Sequence, residues 1–275
     1  MGIMSSKSLP SMPARRPIAQ TRPTGGVVFS SVVKSVTAQR VAIYGPGGIG
    51  KTSLACSAPG PVAFFDLDDS LGVLQPDVDI RVVPISTWAE MISALKSPGW
   101  DKIKTIVIDS ATKAEELASA HVVKTIPHEK GHMVRRIEDY GYGKGYTFIF
   151  DVFIELLQIL DIHKASGRNI ILICHECTAM VPNPMGEDFP RYEPRLQSPP
   201  SGKSSIRLRV KENVDHLLFV SYDFDVKNKK ATGHGTRTIY PSELPHFMAK
   251  SRLLADPIPF PRGDGELWTM LSMEK

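Results

Sequence analysis

Gly45-Pro46-Gly47-Gly48-Ile49-Gly50-Lys51-Thr52-Ser53 carries the spacing G-x-x-x-x-G-K-[ST], which sets glycines, an ammonium and a hydroxyl where a row of phosphates needs them. A backbone that turns successive N–H groups toward one anion must adopt angles that a Cβ resists, and glycine has none. Lys51 would set its charge against the β- and γ-phosphates, and Thr52 would offer its hydroxyl to Mg²⁺. Ser53-Leu54-Ala55-Cys56 would open a helix whose N-terminus faces the phosphates. Residues 45–53 are therefore the candidate contact for Mg·ATP.

Such a site needs two further carboxylates, one on the metal side and one to polarise an attacking water. Lys104-Thr105-Ile106-Val107-Ile108-Asp109-Ser110 is an apolar run ending in an acid, which makes Asp109 the metal-side candidate together with Thr52. Pro61-Val62-Ala63-Phe64-Phe65-Asp66-Leu67-Asp68-Asp69 is a second such run, with Asp68 the candidate base and Asp66 and Asp69 its competitors. A further run, Arg168-Asn169-Ile170-Ile171-Leu172-Ile173-Cys174-His175-Glu176, ends on His175, placed to sense the γ-phosphate and pass the signal to the loop that follows. Cys174, His175 and Cys177 lack a second Cys or His pair at zinc-like spacing, which argues against a metal site there.

These residues need a scaffold that aligns the strand ends. Val41-Ala42-Ile43-Tyr44 reads as a strand feeding the glycine-rich loop, whereas Trp88 to Leu95 and Phe148 to Ile162 repeat apolar residues at helical spacing. Strands alternating with helices predict an α/β fold with a mainly parallel twisted sheet covered by helices on both faces. Ligands of such sheets bind outside the carboxyl ends of the strands, where the four polar tips would converge.

Composition narrows the class. The chain has 275 residues, 42% of them hydrophobic, and a formal charge of +4, which is ordinary for a globular protein. No apolar run approaches the roughly 18 to 20 residues needed to span a bilayer, so no membrane role is expected. Three cysteines, Cys56, Cys174 and Cys177, are too few for a disulfide framework and suggest a reducing, cytoplasmic setting. The charge is unevenly placed. Residues 1–40 hold six basic and no acidic residues, and removing those six from 33 leaves 27 basic against 29 acidic in the remainder. With its prolines and serines, residues 1–35 read as a flexible basic tail. It also fits the loose patterns of a transit peptide, a myristoylation site at Gly2, or an arm on DNA phosphates.

Taken in order, the glycine-rich loop, Phe65-Asp66-Leu67-Asp68, Thr105-Ile106-Val107-Ile108-Asp109-Ser110 and Ile171-Leu172-Ile173-Cys174-His175 resemble the RecA-like ATPases. The chain resembles phage-encoded RecA/RadA-related ATP-binding proteins, including Sak-type single-strand annealing recombinases with a RecA core, from about Val41 to Phe260. The resemblance implies a RecA-like P-loop NTPase domain over residues 36–262 with a C-terminal β-rich extension, and a tail at 263–275. It implies ATP hydrolysis, a homo-oligomeric ring or filament, single-stranded DNA, a single-strand DNA-binding protein as partner, and a host cytoplasm. In that family the base is a Glu two residues after the Asp of the second strand, matched here by the shorter Asp68. The sensor is commonly Gln and is His175 here. Ala249-Lys250-Ser251-Arg252 resembles a K-x-R finger, which implies that Lys250 and Arg252 act in the ATP site of a neighbouring subunit.

Three segments suit single-stranded DNA. Lys203 to Lys211 alternates, which predicts a strand with Arg207, Arg209 and Lys211 on one face. Pro182 to Pro200 reads as a long connection mixing Phe189 and Tyr192 with Arg191 and Arg195, and His128 to Lys144 mixes Lys130, Arg135, Arg136 and Lys144 with Tyr140 and Tyr142. Two rival functions share the phosphate loop: a nucleotide-dependent switch or assembly ATPase acting on a protein, and a small-molecule kinase. The kinase is disfavoured because no Arg-rich lid is evident.

Overall fold

Short apolar runs bounded by Gly, Pro and Asp fold as strands, and runs with apolar residues three and four apart fold as helices. The computed structural model describes residues 38–74, 79–200, 202–227, 230–260, 266–271 and 273, so the expected tail at 1–35 lies outside the described residues. In chain order the elements are β1 (Arg40–Tyr44), α1 (Lys51–Cys56), β2 (Val62–Asp66), α2 (Leu71–Leu74), β3 (Ile80–Val82), α3 (Trp88–Lys96), β4 (Thr105–Asp109) and α4 (Ala111–Thr125). A 3₁₀ turn at Ile137–Tyr140 follows, then α5 (Lys144–Ala165), β5 (Asn169–Cys174), β6 (Glu176–Val181), β7 (Phe189–Pro194), α6 (Ile206–Asn213), β8 (His216–Lys227), β9 (Lys230–Tyr240), β10 (Ile258–Pro259) and α7 (Glu266–Met270).

Eight strands form one sheet in the order β10-β9-β8-β1-β5-β4-β2-β3, and β6 and β7 pair as a separate hairpin. The six strands from β8 to β3 run parallel, while β9 is antiparallel to both β8 and β10. The α/β class, the mainly parallel sheet and the β-rich C-terminal part are as expected. Strand β5 lies between β1 and β4, so the phosphate loop and Asp109 sit two strands apart with His175 between them.

The period of two along each strand sorts the interior into two cores. Ala42, Tyr44, Ala63, Phe65, Ile106, Ile108, Ile170 and Leu172 face the layer of α3, α4, α5 and α6. Val41, Ile43, Val62, Phe64, Val107, Ile171 and Ile173 face α1 and α7. Helix α3 buries Trp88, Met91, Ile92 and Leu95 and starts at a capping box, with Thr87 accepting from the Glu90 amide and the Glu90 carboxylate accepting in return. Ser110 caps α4 immediately after Asp109, so the strand end and the helix start fix each other.

Three expectations are corrected. The alternating segment 203–211 is not a strand, because Ser205 caps the first turn of α6 and Ile206 and Val210, four apart, are its buried residues. A short I-R-L-R-V-K run fits both periods, and the cap decides between them. Pro182 to Pro200 is not one long connection, since Phe189–Pro194 pairs along its whole length with Glu176–Val181. Nor is 263–275 only a tail: the described part carries Leu267, Trp268, Leu271 and Met273, all buried against α1 and the sheet. The Trp268 indole N–H lies 3.1 Å from the carbonyl of Leu54 and 3.0 Å from the hydroxyl of Ser57, at the C-terminal end of α1.

Trp268→Ala should therefore cost about 3 to 5 kcal/mol of unfolding free energy, as for other buried large aromatics. Urea denaturation measures it, and a loss below 1 kcal/mol would mean that α7 does not brace the phosphate-loop helix.

Candidate active site

The site is built at the carboxyl ends of four adjacent parallel strands. Register places Tyr44 beside Cys174, Ile173 beside Asp109, and Asp109 beside Asp66, so the loops that follow these strands leave the sheet at one level. The phosphate loop makes its first turn at Gly45, where a Cβ would lie 2.1 Å from the carbonyl oxygen of Val220 on β8, a distance no side chain can occupy. Gly45 is thus required by the close passage of a neighbouring strand as well as by φ of +154°. Just before it, the buried Tyr44 hydroxyl lies 2.6 Å from the Met248 carbonyl, which ties the strand end to the segment after β9.

Thr52 and Asp109, assigned together from sequence, meet: Thr52 Oγ1 donates to Asp109 Oδ2 at 2.6 Å. Ser70 Oγ donates to the same oxygen at 3.2 Å, and Ser70 itself has no motif to mark it. Burial pushes the Asp109 carboxyl upward, and the charges of Asp68 and Asp66 add to that, against the hydrogen bonds from Thr52 and Ser70. Lys51 is pushed down by burial, opposed chiefly by Asp109, and its ammonium donates to the carbonyls of Gly45 and Pro46 at 2.8 Å each. The hydroxyls of Thr52 and Ser70 and the carboxylate of Asp109 form an all-oxygen donor set, which suits Mg²⁺ completed by water and phosphate oxygens.

The three acids after β2 have different surroundings. Asp66 accepts from the amides of Ser70 and Leu71 at 2.9 Å each and so caps α2. Asp69 is exposed with φ of +52°. Asp68 lines the cleft, with its Oδ2 3.0 Å from His175 Nε2. His175 also lines the cleft, and its backbone is held by Thr112, whose hydroxyl accepts from the His175 amide at 3.1 Å, and by Arg195, whose amide donates to the His175 carbonyl at 2.8 Å. The cleft of about 390 Å³ includes Gly47, Gly48, Gly50, Lys51, Thr52 and Ser53 on one side and Asp68, Ser70, Asp109 and His175 on the other.

Lys250 and Arg252 are not part of this cleft. Leu217, at the start of β8, exchanges backbone hydrogen bonds with Lys250, which places this segment at the strand-start edge of the sheet. Lys250 Nζ donates to the carbonyls of Lys211, Glu212 and Val214 at 2.9, 3.2 and 2.8 Å, closing the end of α6. Arg252 pairs with Asp215 at 3.2 Å and its side chain is 60% exposed.

The basic residues of 203–211 also have internal partners. Arg207 joins Arg191 on the buried carboxylate of Glu193, Lys211 pairs with Glu243, and Arg209 pairs with Glu212 at 3.4 Å. Arg135 and Arg136 are exposed in the segment before α5, close in sequence to the fully exposed Tyr142.

Sequence reasoning also missed Arg237 on β9. Its Nη1 donates to the carbonyl of Ile49 at 2.6 Å, 188 residues away along the chain, and its guanidinium carbon lies 4.5 Å from the centre of the Phe260 ring. No motif spacing could link residues so far apart.

A family model described as an AAA domain matches residues 37–253. No curated protein matches the chain. The matched span runs from just before β1 to just past Arg252 and so contains every element of the cleft.

Gly45→Ala should disrupt both the loop and the β1–β8 contact. The expected outcome is a loss of about 1 to 3 kcal/mol in stability, as for other strained or overpacked substitutions, together with at least a ten-fold weaker affinity for a fluorescent ATP analogue. Wild-type affinity in a normally folded variant would show that the Val220 contact leaves the loop free to adjust.

Proposed function

Because the chain belongs to the AAA domain family of P-loop ATPases, we propose that it binds and hydrolyses Mg·ATP at this cleft and couples the cycle to single-stranded DNA, in recombination or annealing. The observation that carries the nucleotide part is the Thr52–Asp109 hydrogen bond, which brings the hydroxyl of the phosphate loop onto a buried acid two strands away. Mg²⁺, when bound, would neutralise phosphate charge beside these two residues.

The chain's own groups divide the remaining work. The loop amides and Lys51 hold the β- and γ-phosphates, and Lys51 need only exchange its two carbonyl partners for phosphate oxygens. Asp68 accepts a proton from the water that attacks the γ-phosphorus, as the bond from that phosphorus to the ADP oxygen breaks. His175, bonded to Asp68, would register the phosphate's presence at the root of the β6–β7 hairpin. In an assembled ring or filament Arg252 would approach a neighbouring subunit's phosphates. Its exposure supports that role, whereas three carbonyl partners hold Lys250 within its own chain.

The DNA reading is supported by the segment before α5, in which Lys130, Arg135 and Arg136 are exposed, as are Met133 and Tyr142. Exposed basic groups and an exposed aromatic in one segment suit a strand whose bases stack while its phosphates are neutralised. Arg207, Arg209 and Lys211, with acidic partners of their own, suit it less.

Phosphate release measured with and without single-stranded DNA tests the proposal. Wild type should hydrolyse ATP with DNA stimulation, and Lys51→Ala should reduce turnover by roughly 100-fold or more, the scale of losing one charge-stabilising group. Arg135→Ala with Arg136→Ala should keep basal turnover and lose stimulation. Turnover that DNA leaves unchanged, without salt-dependent DNA binding, would favour a protein-directed switch. Mixing Arg252→Ala with Lys51→Ala protein should restore part of the activity, and failure to complement would argue against a finger acting between subunits.

A further inference from the structure

A second cleft adjoins the phosphate loop on the β8–β9–β10 side. Its volume is about 750 Å³, and it is lined by Tyr222 and Asp223 of β8, Thr236 and Arg237 of β9, Phe260 after β10, and Gly48 of the phosphate loop itself. Gly48 lines both this cleft and the one containing Lys51, Thr52 and Asp109, so the two clefts meet at the phosphate loop.

Resting on the ATP-site reading above, we propose that this second cleft takes the purine nucleoside of the bound nucleotide, with Arg237 as its stacking surface. The Ile49 carbonyl holds the guanidinium at 2.6 Å and the Phe260 ring backs it at 4.5 Å, so the planar cation is fixed before any ligand arrives. It also comes close to Gly50, whose φ of +103° already favours glycine, since a Cβ there would lie 2.7 Å from Arg237 Nη1. A fixed guanidinium plane is a good partner for a purine face. Tyr222, half-exposed on the rim, adds an aromatic wall, and the Asp223 carboxylate with the Thr236 hydroxyl can meet ribose hydroxyls or an exocyclic amino group. Arg237 touches the phosphate loop and, in this reading, the base, which makes it the residue that adapts a generic phosphate loop to a nucleotide.

Calorimetric titration of the full chain with Mg·ATP and with Mg·tripolyphosphate, which lacks the nucleoside, separates the two clefts. Wild type should bind ATP at least about ten-fold more tightly than tripolyphosphate, the scale of one stacked base. Arg237→Ala should bring that ratio close to one. Tyr222→Ala, with no bond to the loop, should lower it several-fold while leaving tripolyphosphate affinity within two-fold. A wild-type ratio near one, or an unchanged ratio in both variants, would overturn the subsite, including the case where Arg237→Ala weakens both ligands equally and only braces the loop. If Arg237→Ala does not fold, Tyr222→Ala decides alone. Lys51→Ala reports separately: unchanged binding of both ligands there would sink the phosphate-site reading itself.

Discussion

The structure depends on the common register of β1, β5, β4 and β2. In a parallel sheet each strand leaves at the same edge, and here the last residues of these four stand side by side, Tyr44 by Cys174, Ile173 by Asp109, Asp109 by Asp66. One residue of slip in any of them would exchange the faces of that strand, and in β4 it would move Asp109 away from Thr52. The two cores, sorted by alternate side chains, enforce the register because a shifted strand would place each residue in the wrong layer.

That alignment is held against a local electrostatic cost. Asp109 is 3% exposed and close to Asp66 and Asp68, so its ionised form is disfavoured, whereas the proposed metal role would need it charged. Thr52 and Ser70 offset part of the cost by donating to one of its oxygens. Lys51 is under the same pressure, since burial disfavours its charge and Asp109 offsets only part of that. The cleft is therefore a set of mutually dependent charges that a divalent cation and a triphosphate would complete.

The end of the chain braces this arrangement from the far side. Arg237 holds Ile49, Val220 passes against Gly45, and Trp268 caps the end of α1, so the six-residue helix after the phosphate loop is gripped at both ends by later elements. Short helices have little stability of their own, and tertiary contacts supply it.

Much of this was legible in the residues. The glycine-rich loop, the acid at the end of β4 that meets Thr52, the four parallel strands and helices α3 and α5 follow from spacing and period alone, because each is a local pattern in which neighbouring residues share one requirement. The placement of the alternating I-R-L-R-V-K run in a helix did not follow, since six residues satisfy both periods and a single Ser205 cap decides. The roles of Arg207 and Lys250 did not follow either. A basic side chain looks the same in sequence whether it faces solvent or, as here, a buried Glu193 or the carbonyls ending α6. What the sequence by itself determined is the chemistry offered to a phosphate chain. Only the tertiary structure decided which acid after β2 lines the cleft, Asp68 rather than Asp66, and which distant residues hold the loop and α1, Arg237 and Trp268. Those choices depend on strands and segments far apart in the chain meeting at one edge, which no local spacing records.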